Sequence, residues 1–406
     1  MSDSAMHTTD IKTMIRNNIR NYSMFIILVL IMVVFGVLCG IQNPNNFWIN
    51  FKARNFANIF FQYSYVLILA AGMVQVIIIL GIDLSVGSVC ALVGALSAMI
   101  YNTGIGMPLT LLVSLIMGLV IGAFQGWFVA YANIPAFIVT LAGMMLFRGL
   151  TYIVTDVTPV TLMDDGYSYL STGTVDEVLG LEPVFLDHFP IPFILALILL
   201  AFFFVSEIMG RNAKIKNGFE IDPGPAFVLK LVLISALVLY LAERFAYYRG
   251  LPIVVVVLGI TIFIFHFIMK NTVLGRYIYA VGGNARSAKL SGINSELVTF
   301  VVFCIMGILT GLAAVVSTGY MNSALPQAGQ QFEMDAIAAC YIGGVSASGG
   351  IGTVVGVIVG GLVMSSINNG MSLMNLGTHY QYVVKALILL SAVFYDVYTR
   401  RKAGLG

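Results

Sequence analysis

The sequence predicts an all-α protein, a polytopic bundle of membrane-spanning helices. Of its 406 residues, 59% are hydrophobic and only 9% are charged, whereas a soluble domain carries about 25% charged residues. The apolar runs are also long, and residues 22–40, for example, contain no charged side chain. A helix of roughly 20 apolar residues crosses a hydrocarbon core of about 30 Å. Because lipid offers no partner to backbone N–H and C=O groups, each run is expected to be helical.

Polar breaks divide the apolar residues into about twelve hydrophobic segments. In chain order these are 22–40, 59–80, 84–101, 107–131, 137–155, 189–206, 226–242, 251–269, 297–318, 336–349, 352–370 and 379–397. Two breaks, Gly81–Ser85 and Gly343–Gly350, interrupt otherwise long apolar stretches. They predict tight turns, broken helices or re-entrant segments, which occur at membrane depth only where protein or a water-filled cavity covers the backbone.

The basic residues predict the orientation, because cytoplasmic connections are enriched in Lys and Arg. With the N-terminus inside, the two tails and the even-numbered connections hold thirteen of the twenty Lys and Arg residues. Residues 156–190, on the opposite side, contain seven acidic residues and no basic ones. The predicted organisation is a cytoplasmic tail (1–21), a transmembrane domain (22–397) with this acidic periplasmic segment and a cytoplasmic loop (270–296), and a second cytoplasmic tail (398–406).

An internal repeat is suggested by two segments, Leu115–Gly126 and Val355–Ser366, in which glycines are mixed with branched apolar residues. In the predicted topology the two segments cross the membrane in opposite directions, as inverted repeats require. The alternative is that both are packing helices that use the small-xxx-small pattern independently of any repeat.

The motifs of several enzyme and binding classes are absent from the sequence. There is no phosphate-cradling G-x-x-x-x-G-K-[ST] loop, no nucleophile elbow and no H-E-x-x-H zinc pair, and no basic stripe for nucleic acid. The four cysteines all lie in apolar segments and are expected to pack as small apolar side chains. We therefore expect no catalytic, cofactor-binding or metal-binding residue in this chain.

One polar connection has a helix-forming pattern of its own. Asn284 follows two glycines, Gly282 and Gly283, and is a good N-cap, while Gly292 is a good C-cap. Between the caps lies a predicted helix of two turns, Ala285–Ser291, which is too short to be stable alone. Such a helix needs a surface to dock on, although an ordinary capped connector is the alternative interpretation.

Six segments, taken in order along the chain, carry a resemblance to a known family. They are Gly81–Gly87, Gly275–Asn294, Glu333–Cys340, Gly343–Gly350, Asn368–Ser372 and Tyr380–Lys385. Together they resemble the permease subunits of ribose, xylose, galactose and multiple-monosaccharide ABC importers. The long acidic segment and the additional spans near residues 170–245 are similar to the xylose and multiple-monosaccharide branch.

The resemblance implies the membrane-spanning subunit of a bacterial importer of a monosaccharide such as xylose, galactose or arabinose, located in the inner (plasma) membrane. It implies a homodimer of permeases in membrane lipid, partner subunits that bind ATP and Mg, an extracytoplasmic sugar-binding protein, and no nucleic-acid partner. The capped cytoplasmic segment then resembles the family's coupling loop. The residues expected to couple it to the ATPase are Gly282, Gly283, Asn284, Ala288, Leu290, Ser291 and Gly292.

Candidates for the transport pathway or its gate are polar residues in or beside the spans: Asp83, Ser85, Gln125, Arg148, Asp335, Asn368, Asn369 and Lys385. A basic side chain inside a span costs about 2.5–3.5 kcal/mol, which favours an ion pair between Lys385 and Asp335 near the outer mouth, with Arg148 close by. Snorkelling to the headgroups is the alternative for both basic residues. Helix capping is the alternative for Asp83 and Asp335, and the amides can instead bridge helices by hydrogen bonds.

A secondary transporter driven by an ion gradient is the alternative function, because twelve spans and inverted repeats suit that class as well. Against it, Asp83 and Asp335 are expected near the ends of spans, which leaves few acids at the midplane to couple protons or sodium. A channel has no ring of charges and no filter segment to support it.

Reporter fusions test the predicted orientation. A reporter fused to either terminus should give a cytoplasmic signal, and one inserted near Asp165 should give a periplasmic signal, because basic residues gather on one side and acidic residues on the other. A cytoplasmic signal at Asp165 would invert or reorder the spans.

Overall fold

The computed structural model describes residues 11–44, 47–184, 188–218 and 223–402. This part of the chain contains fifteen α-helices, one short 3-10 helix (Ile49–Phe51) and one antiparallel pair of two-residue strands. The helices are α1 (Ile11–Gln42), α2 (Ala53–Ile78), α3 (Val86–Asn102), α4 (Met107–Ala130), α5 (Ala136–Thr155), α6 (Tyr169–Thr172), α7 (Val175–Val178), α8 (Pro190–Lys216), α9 (Gly224–Tyr247), α10 (Ile253–Asn271), α11 (Val273–Leu290), α12 (Ser295–Met321), α13 (Phe332–Ile342), α14 (Val354–Leu373) and α15 (Thr378–Lys402). The strands are β1 (Val160–Thr161) and β2 (Ser323–Ala324).

The predicted all-α membrane bundle is confirmed, with a correction to the number of full spans. Each of the twelve predicted segments contains a helix, although the segment 336–349 is helical only to Ile342, and ten helices of the described residues are long and apolar enough to cross a membrane. The other two, α3 with 17 residues and α13 with 11, are about 25 Å and 16 Å long at 1.5 Å per residue. Both are shorter than the hydrocarbon core. They are the broken segments that the sequence allowed for.

Helices continue into both predicted tails. Helix α1 begins at Ile11, so residues 11–21 of the predicted N-terminal tail continue the first helix. Helix α15 likewise continues to Lys402. Residues 1–10 and 403–406 of the two tails, and residues 185–187 of the acidic segment, lie outside the described residues.

Two groups of four helices pack in the same way, which is what an inverted repeat requires. In the first group α2, α3, α4 and α5 follow one another, and in the second α12, α13, α14 and α15 do. Helix α3 packs on α5 and on α12, and its counterpart α13 packs on α15 and on α2. Likewise α4 packs on α12, and α14 packs on α2.

The two groups run in opposite directions. Helix α2 ends against α11 and the turn after α13, since the Gly350 N–H donates to the carbonyl oxygen of Ile78 (3.0 Å). Helix α12 ends at the opposite side of the bundle, beside Ser168, whose hydroxyl donates to the Asn322 side chain (2.9 Å). We call these two ends the α11 face and the β face, the latter being where β1 pairs with β2.

Both described ends of the chain lie toward the α11 face. The Ala347 N–H donates to the Asp396 carboxylate near the end of α15 (3.2 Å), and Met24 in α1 lies against Gly344. At the β face, the Gln42 side chain at the end of α1 donates to the Met374 carbonyl oxygen (3.3 Å).

The acidic segment 156–190 is tied to the β face rather than solvated along its length. It contains β1, α6 and α7. The buried carboxylate of Asp176 accepts hydrogen bonds from the N–H groups of Ile191 (3.2 Å) and Leu251 (2.8 Å). Asp164 accepts from the Tyr101 hydroxyl and from a backbone N–H, and these bonds lower the pKa of its carboxyl.

Glycines bring helices into backbone contact, so the small-xxx-small interpretation holds as well. A Cβ added at Gly118 or Gly122 of α4 would overlap the carbonyl oxygen of Gly307 or Phe303 in α12. On α14, a Cβ at Gly360 would overlap the Ala339 carbonyl oxygen of α13. The two glycine-rich segments occupy equivalent positions in the two groups, and in both the glycines permit close helix packing.

The contact between α4 and α12 predicts a difference between two glycine substitutions. Gly118→Ala should destabilise the chain by about 1–3 kcal/mol, the usual cost of overpacking a tight core. Gly149→Ala on α5 is the matched control, because nothing lies within 4 Å of the added Cβ, and alanine is the better helix former. Thermal unfolding of both purified variants in the same detergent measures the difference. Equal midpoints would contradict a backbone contact between the two helices.

Candidate functional site

The two half-length helices begin against each other inside the bundle. Gly87 in the first turn of α3 and Gly329 just before α13 touch through their backbones, and a Cβ on either would overlap the carbonyl oxygen of the other. Gly329 also has a φ of +75°, which side chains rarely tolerate. Most of the predicted pathway residues lie around this junction.

Asp83, Ser85 and Gln125 form one polar cluster at the start of α3. Asp83 Oδ1 accepts hydrogen bonds from the Ser85 backbone N–H (2.8 Å) and hydroxyl (2.7 Å). The Gln125 side-chain N–H of α4 donates to the Ser85 hydroxyl oxygen (2.7 Å). The cluster fixes the turn that leads into α3, and it joins that turn to α4.

Asp335, Asn368 and Lys385 form a second cluster, which ties α13 to α14 and α15. Lys385 Nζ lies 2.9 Å from Asp335 Oδ2, and the Asn368 amide donates to the same oxygen (3.2 Å). The Lys385 side chain is 14% exposed, so it pairs inside the bundle and does not snorkel. Asp335 makes no N-cap hydrogen bond, since the cap position of α13 is Gln331.

Asp83 lies between α2 and α3, and Asp335 lies in the first turn of α13. Both carboxylates are buried, only 4% and 2% exposed, where the interrupted helices meet. Asn369, next to Asn368, does not join the second cluster; it exchanges hydrogen bonds with Asn55 of α2 (3.0 and 3.3 Å). Neighbouring residues on a helix point about 100° apart, so the two amides serve different contacts.

Arg148 hydrogen-bonds backbone groups, whereas the Asp335 carboxylate pairs with Lys385. Arg148 Nη1 donates to the carbonyl oxygens of Pro326 (3.0 Å) and Ala328 (2.6 Å), in the turns before α13. A guanidinium satisfies such backbone groups well because it carries five N–H donors in a fixed plane. The interaction holds the chain between β2 and α13 against α5.

The sequence reasoning missed residues that surround Arg148. A cavity of about 360 Å³ lies between α3, α5, α13 and α15, and its polar lining includes Ser88, Gln330, Gln331, Glu333 and Tyr382. The signal that could have found it is the polar run Gln330–Glu333 between two apolar helices. A short polar run after glycine resembles an ordinary loop, and only the tertiary fold brings it beside Arg148.

The capped segment has the predicted caps, within a longer helix than predicted. The backbone of Asn284 is non-helical (φ −163°, ψ 100°), and its Oδ1 accepts from the Ser287 N–H (2.9 Å). Gly292 has a φ of +84°, and the Ile293 N–H donates to the Ala288 carbonyl oxygen (3.0 Å), as in a Schellman motif.

Residues 273–283, predicted as part of a loop, form the first half of α11. This first half begins at Thr272, whose hydroxyl accepts from the Gly275 N–H (3.3 Å). The sequence reasoning did not predict this helix, because the segment mixes polar and apolar residues as a loop does.

The seven proposed coupling residues divide into docked and exposed ones. A Cβ at Gly282 would overlap the Ile78 carbonyl oxygen at the end of α2, whereas nothing lies within 4 Å of one at Gly283. Ala288 is buried and Leu290 is 84% exposed. Ser291 donates to the Ser287 carbonyl oxygen (3.0 Å), so it closes the short helix.

A double-mutant cycle tests the ion pair. Lys385→Met should reduce the midpoint of thermal unfolding more than Lys385→Met combined with Asp335→Asn, because one buried charge without its partner costs about 3–5 kcal/mol. The single variant Asp335→Asn completes the cycle. Additive effects of the two substitutions would mean that the two side chains do not interact in the folded protein.

Comparison with known proteins identifies the family. The family model described as "Branched-chain amino acid transport system / permease component" matches residues 55–393. The xylose transport system permease protein XylH of Escherichia coli (strain K12) is 39% identical over 361 residues, which cover 87% of each chain. XylH of Haemophilus influenzae is 36% identical over 386 residues, 95% of this chain and 98% of the relative.

The similarity extends to a second group of relatives. The ribose import permease protein RbsC of Haemophilus influenzae is 33% identical over 378 residues, which cover 93% of both chains. No solved structure matches the chain. Since the family match covers most of the sequence and includes both half-length helices, this chain belongs to that family of transport-system permease components.

Proposed function

We propose that the chain is the membrane-spanning permease subunit of an ABC importer, which translocates a monosaccharide such as xylose, galactose or arabinose. A binding protein delivers the sugar, and a partner subunit hydrolyses ATP with Mg. The observation that carries the proposal is the similarity over 87–95% of this chain to permeases named for xylose and ribose. A secondary transporter is not favoured, because those relatives are named as permease components of transport and import systems.

The two faces of the bundle suit two different partners. We place the ATPase at the α11 face, where Leu290 projects from the capped helix. We place the sugar-binding protein at the β face, with its acidic segment, and both termini in the cytoplasm of a bacterium. A second copy of the chain completes the translocation path in the inner membrane, and lipid surrounds the remaining helices.

The contacts of Gly282 support a route by which a movement of α11 could reach the membrane-spanning helices. Its Cα lies against the Ile78 carbonyl oxygen, which also accepts the Gly350 N–H (3.0 Å). A movement of α11 that follows ATP binding would press on the end of α2 and on the turn between α13 and α14. These two elements belong to different repeats, so one contact acts on both halves of the bundle.

Reconstitution tests the function. The chain, purified with its partner ATPase and placed in liposomes, should hydrolyse ATP faster when sugar-loaded binding protein is added. Sugar uptake should persist when an ionophore removes the ion gradient. Uptake by the chain alone that collapses with the gradient would instead establish a secondary transporter.

A glycine pair tests the coupling role of α11. Gly282→Ala should reduce sugar-stimulated ATP hydrolysis by roughly fivefold or more, because overpacking by about 1–3 kcal/mol displaces the contact with α2. Gly283→Ala is the matched control, since its added Cβ meets nothing within 4 Å, and it should keep the stimulated rate. Equal stimulation in both variants would remove Gly282 from the coupling route.

A further inference from the structure

The cavity beside Arg148 has the size and the lining of a small-molecule site. Its volume of about 360 Å³ lies within the range of ligand pockets, about 300–1,000 Å³. Four elements meet there: α3 contributes Ser88, α5 contributes Arg148, the start of α13 contributes Glu333, and α15 contributes Tyr382. None of the hydrogen bonds that fix the two polar clusters involves these side chains.

Several polar groups in the cavity have capacity left for a ligand. Within the described part of the chain, the hydrogen bonds of Arg148 all come from Nη1, which leaves three N–H donors on Nε and Nη2. The side-chain amides of Gln330 and Gln331 make no hydrogen bond to any described residue. Gln330 is exposed and Gln331 is half-buried, so water solvates these amides when the cavity is empty, and a polar ligand can replace that water.

The open side of the cavity cannot face lipid. Arg148 lies twelve residues after the start of α5 and seven before its end, about 18 Å and 10 Å at 1.5 Å per residue. The chain before α13 is non-helical at this depth, and such backbone is tolerated only against protein or a water-filled space. Met145 and Tyr382, 69% and 46% exposed, flank the opening, which therefore faces a second protein surface or a water-filled space.

We propose that this cavity is a sugar-binding station on the translocation path, and that it takes a neutral polyhydroxylated ring. The ring hydroxyls bond Arg148, Glu333 and the two glutamine amides, and the apolar face of the ring packs on Tyr382 and the neighbouring methionine side chains. One guanidinium and one carboxylate give the lining no net charge, which suits a neutral solute. The inference rests on the proposed function, since it assigns the sugar a place within that path.

A zwitterionic amino acid is the competing ligand, because its carboxylate and ammonium groups could pair with Arg148 and Glu333. Its aliphatic side chain would leave the amides of Gln330 and Gln331 unpaired, which is unfavourable. A sugar supplies hydroxyl groups to all four side chains. The lining therefore favours the sugar.

Thiol labelling of the full-length chain in native membranes or nanodiscs tests the proposal. Met145→Cys replaces an exposed side chain at the opening and should react with a hydrophilic, membrane-impermeant thiol reagent. Phe202→Cys is the control: Phe202 is 74% exposed near the middle of α8, where lipid should keep the reagent away. Labelling of the unsubstituted chain, with its own four cysteines, gives the background to subtract.

Added solutes identify the ligand. D-xylose or D-galactose should slow the labelling of Met145→Cys about tenfold at a concentration ten times the dissociation constant, because only the empty fraction reacts. L-leucine should have no effect. Glu333→Gln or Gln330→Ala in the Met145→Cys background should require several times more sugar for the same protection, while labelling without sugar stays unchanged.

The outcomes separate this proposal from the proposed function. Labelling of Met145→Cys as slow as that of Phe202→Cys, or labelling that no sugar slows in a chain whose complex imports sugar, would overturn the sugar station and leave the importer intact. Protection by L-leucine instead of sugar would overturn the assignment of the ligand. Protection by sugar in a chain whose complex neither hydrolyses ATP nor imports would support the station and contradict the ABC importer.

Discussion

The contact between Gly87 and Gly329 is the constraint on which the interior of this bundle depends. Two helices too short to cross the membrane begin there, and each leaves backbone groups that lipid cannot satisfy. The chain solves this by bringing the two broken segments together and surrounding them with long helices. Glycine is required at both positions because the backbones touch. Polar side chains gather around the junction, because backbone groups and neighbouring helices there share their hydrogen bonds.

The two polar clusters stabilise the two broken segments in parallel ways. Asp83 and Ser85 are held by Gln125 of α4, while Asp335 is held by Asn368 of α14 and Lys385 of α15. In each repeat, a carboxylate near the start of the short helix is joined to the helix that follows it. The second cluster contains a buried ion pair, and such a pair offsets its desolvation only when its geometry is good. Its contribution is therefore to fix the position of α13, more than to add net stability.

The sequence predicted the long apolar helices and the sites of the two breaks, because apolar length and glycine position depend on local residues alone. It also placed Lys385 with Asp335, since an intramembrane charge needs an opposite charge. It could not place Arg148, whose partners are the backbone carbonyl oxygens of Pro326 and Ala328. Every residue has a backbone carbonyl group, so no pattern of residue types can predict which carbonyl oxygens bind Arg148. The sequence reasoning missed the cavity for the same reason, because the cavity forms only where Arg148 meets the chain before α13. It missed the first half of α11 because the composition of that segment is typical of a loop.

The short chain between α2 and α3 joins the α11 face to the junction. Ile78, at one end of this stretch, touches Gly282 and accepts the Gly350 N–H, and Gly87, at the other end, touches Gly329. Thr140 of α5 donates to the Ile82 carbonyl oxygen (3.0 Å) along the way, on the same helix that carries Arg148. A shift of α11 would therefore act on the end of α2 through the packing contact at Ile78, and the covalent chain from Ile78 to Gly87 continues from there to the junction.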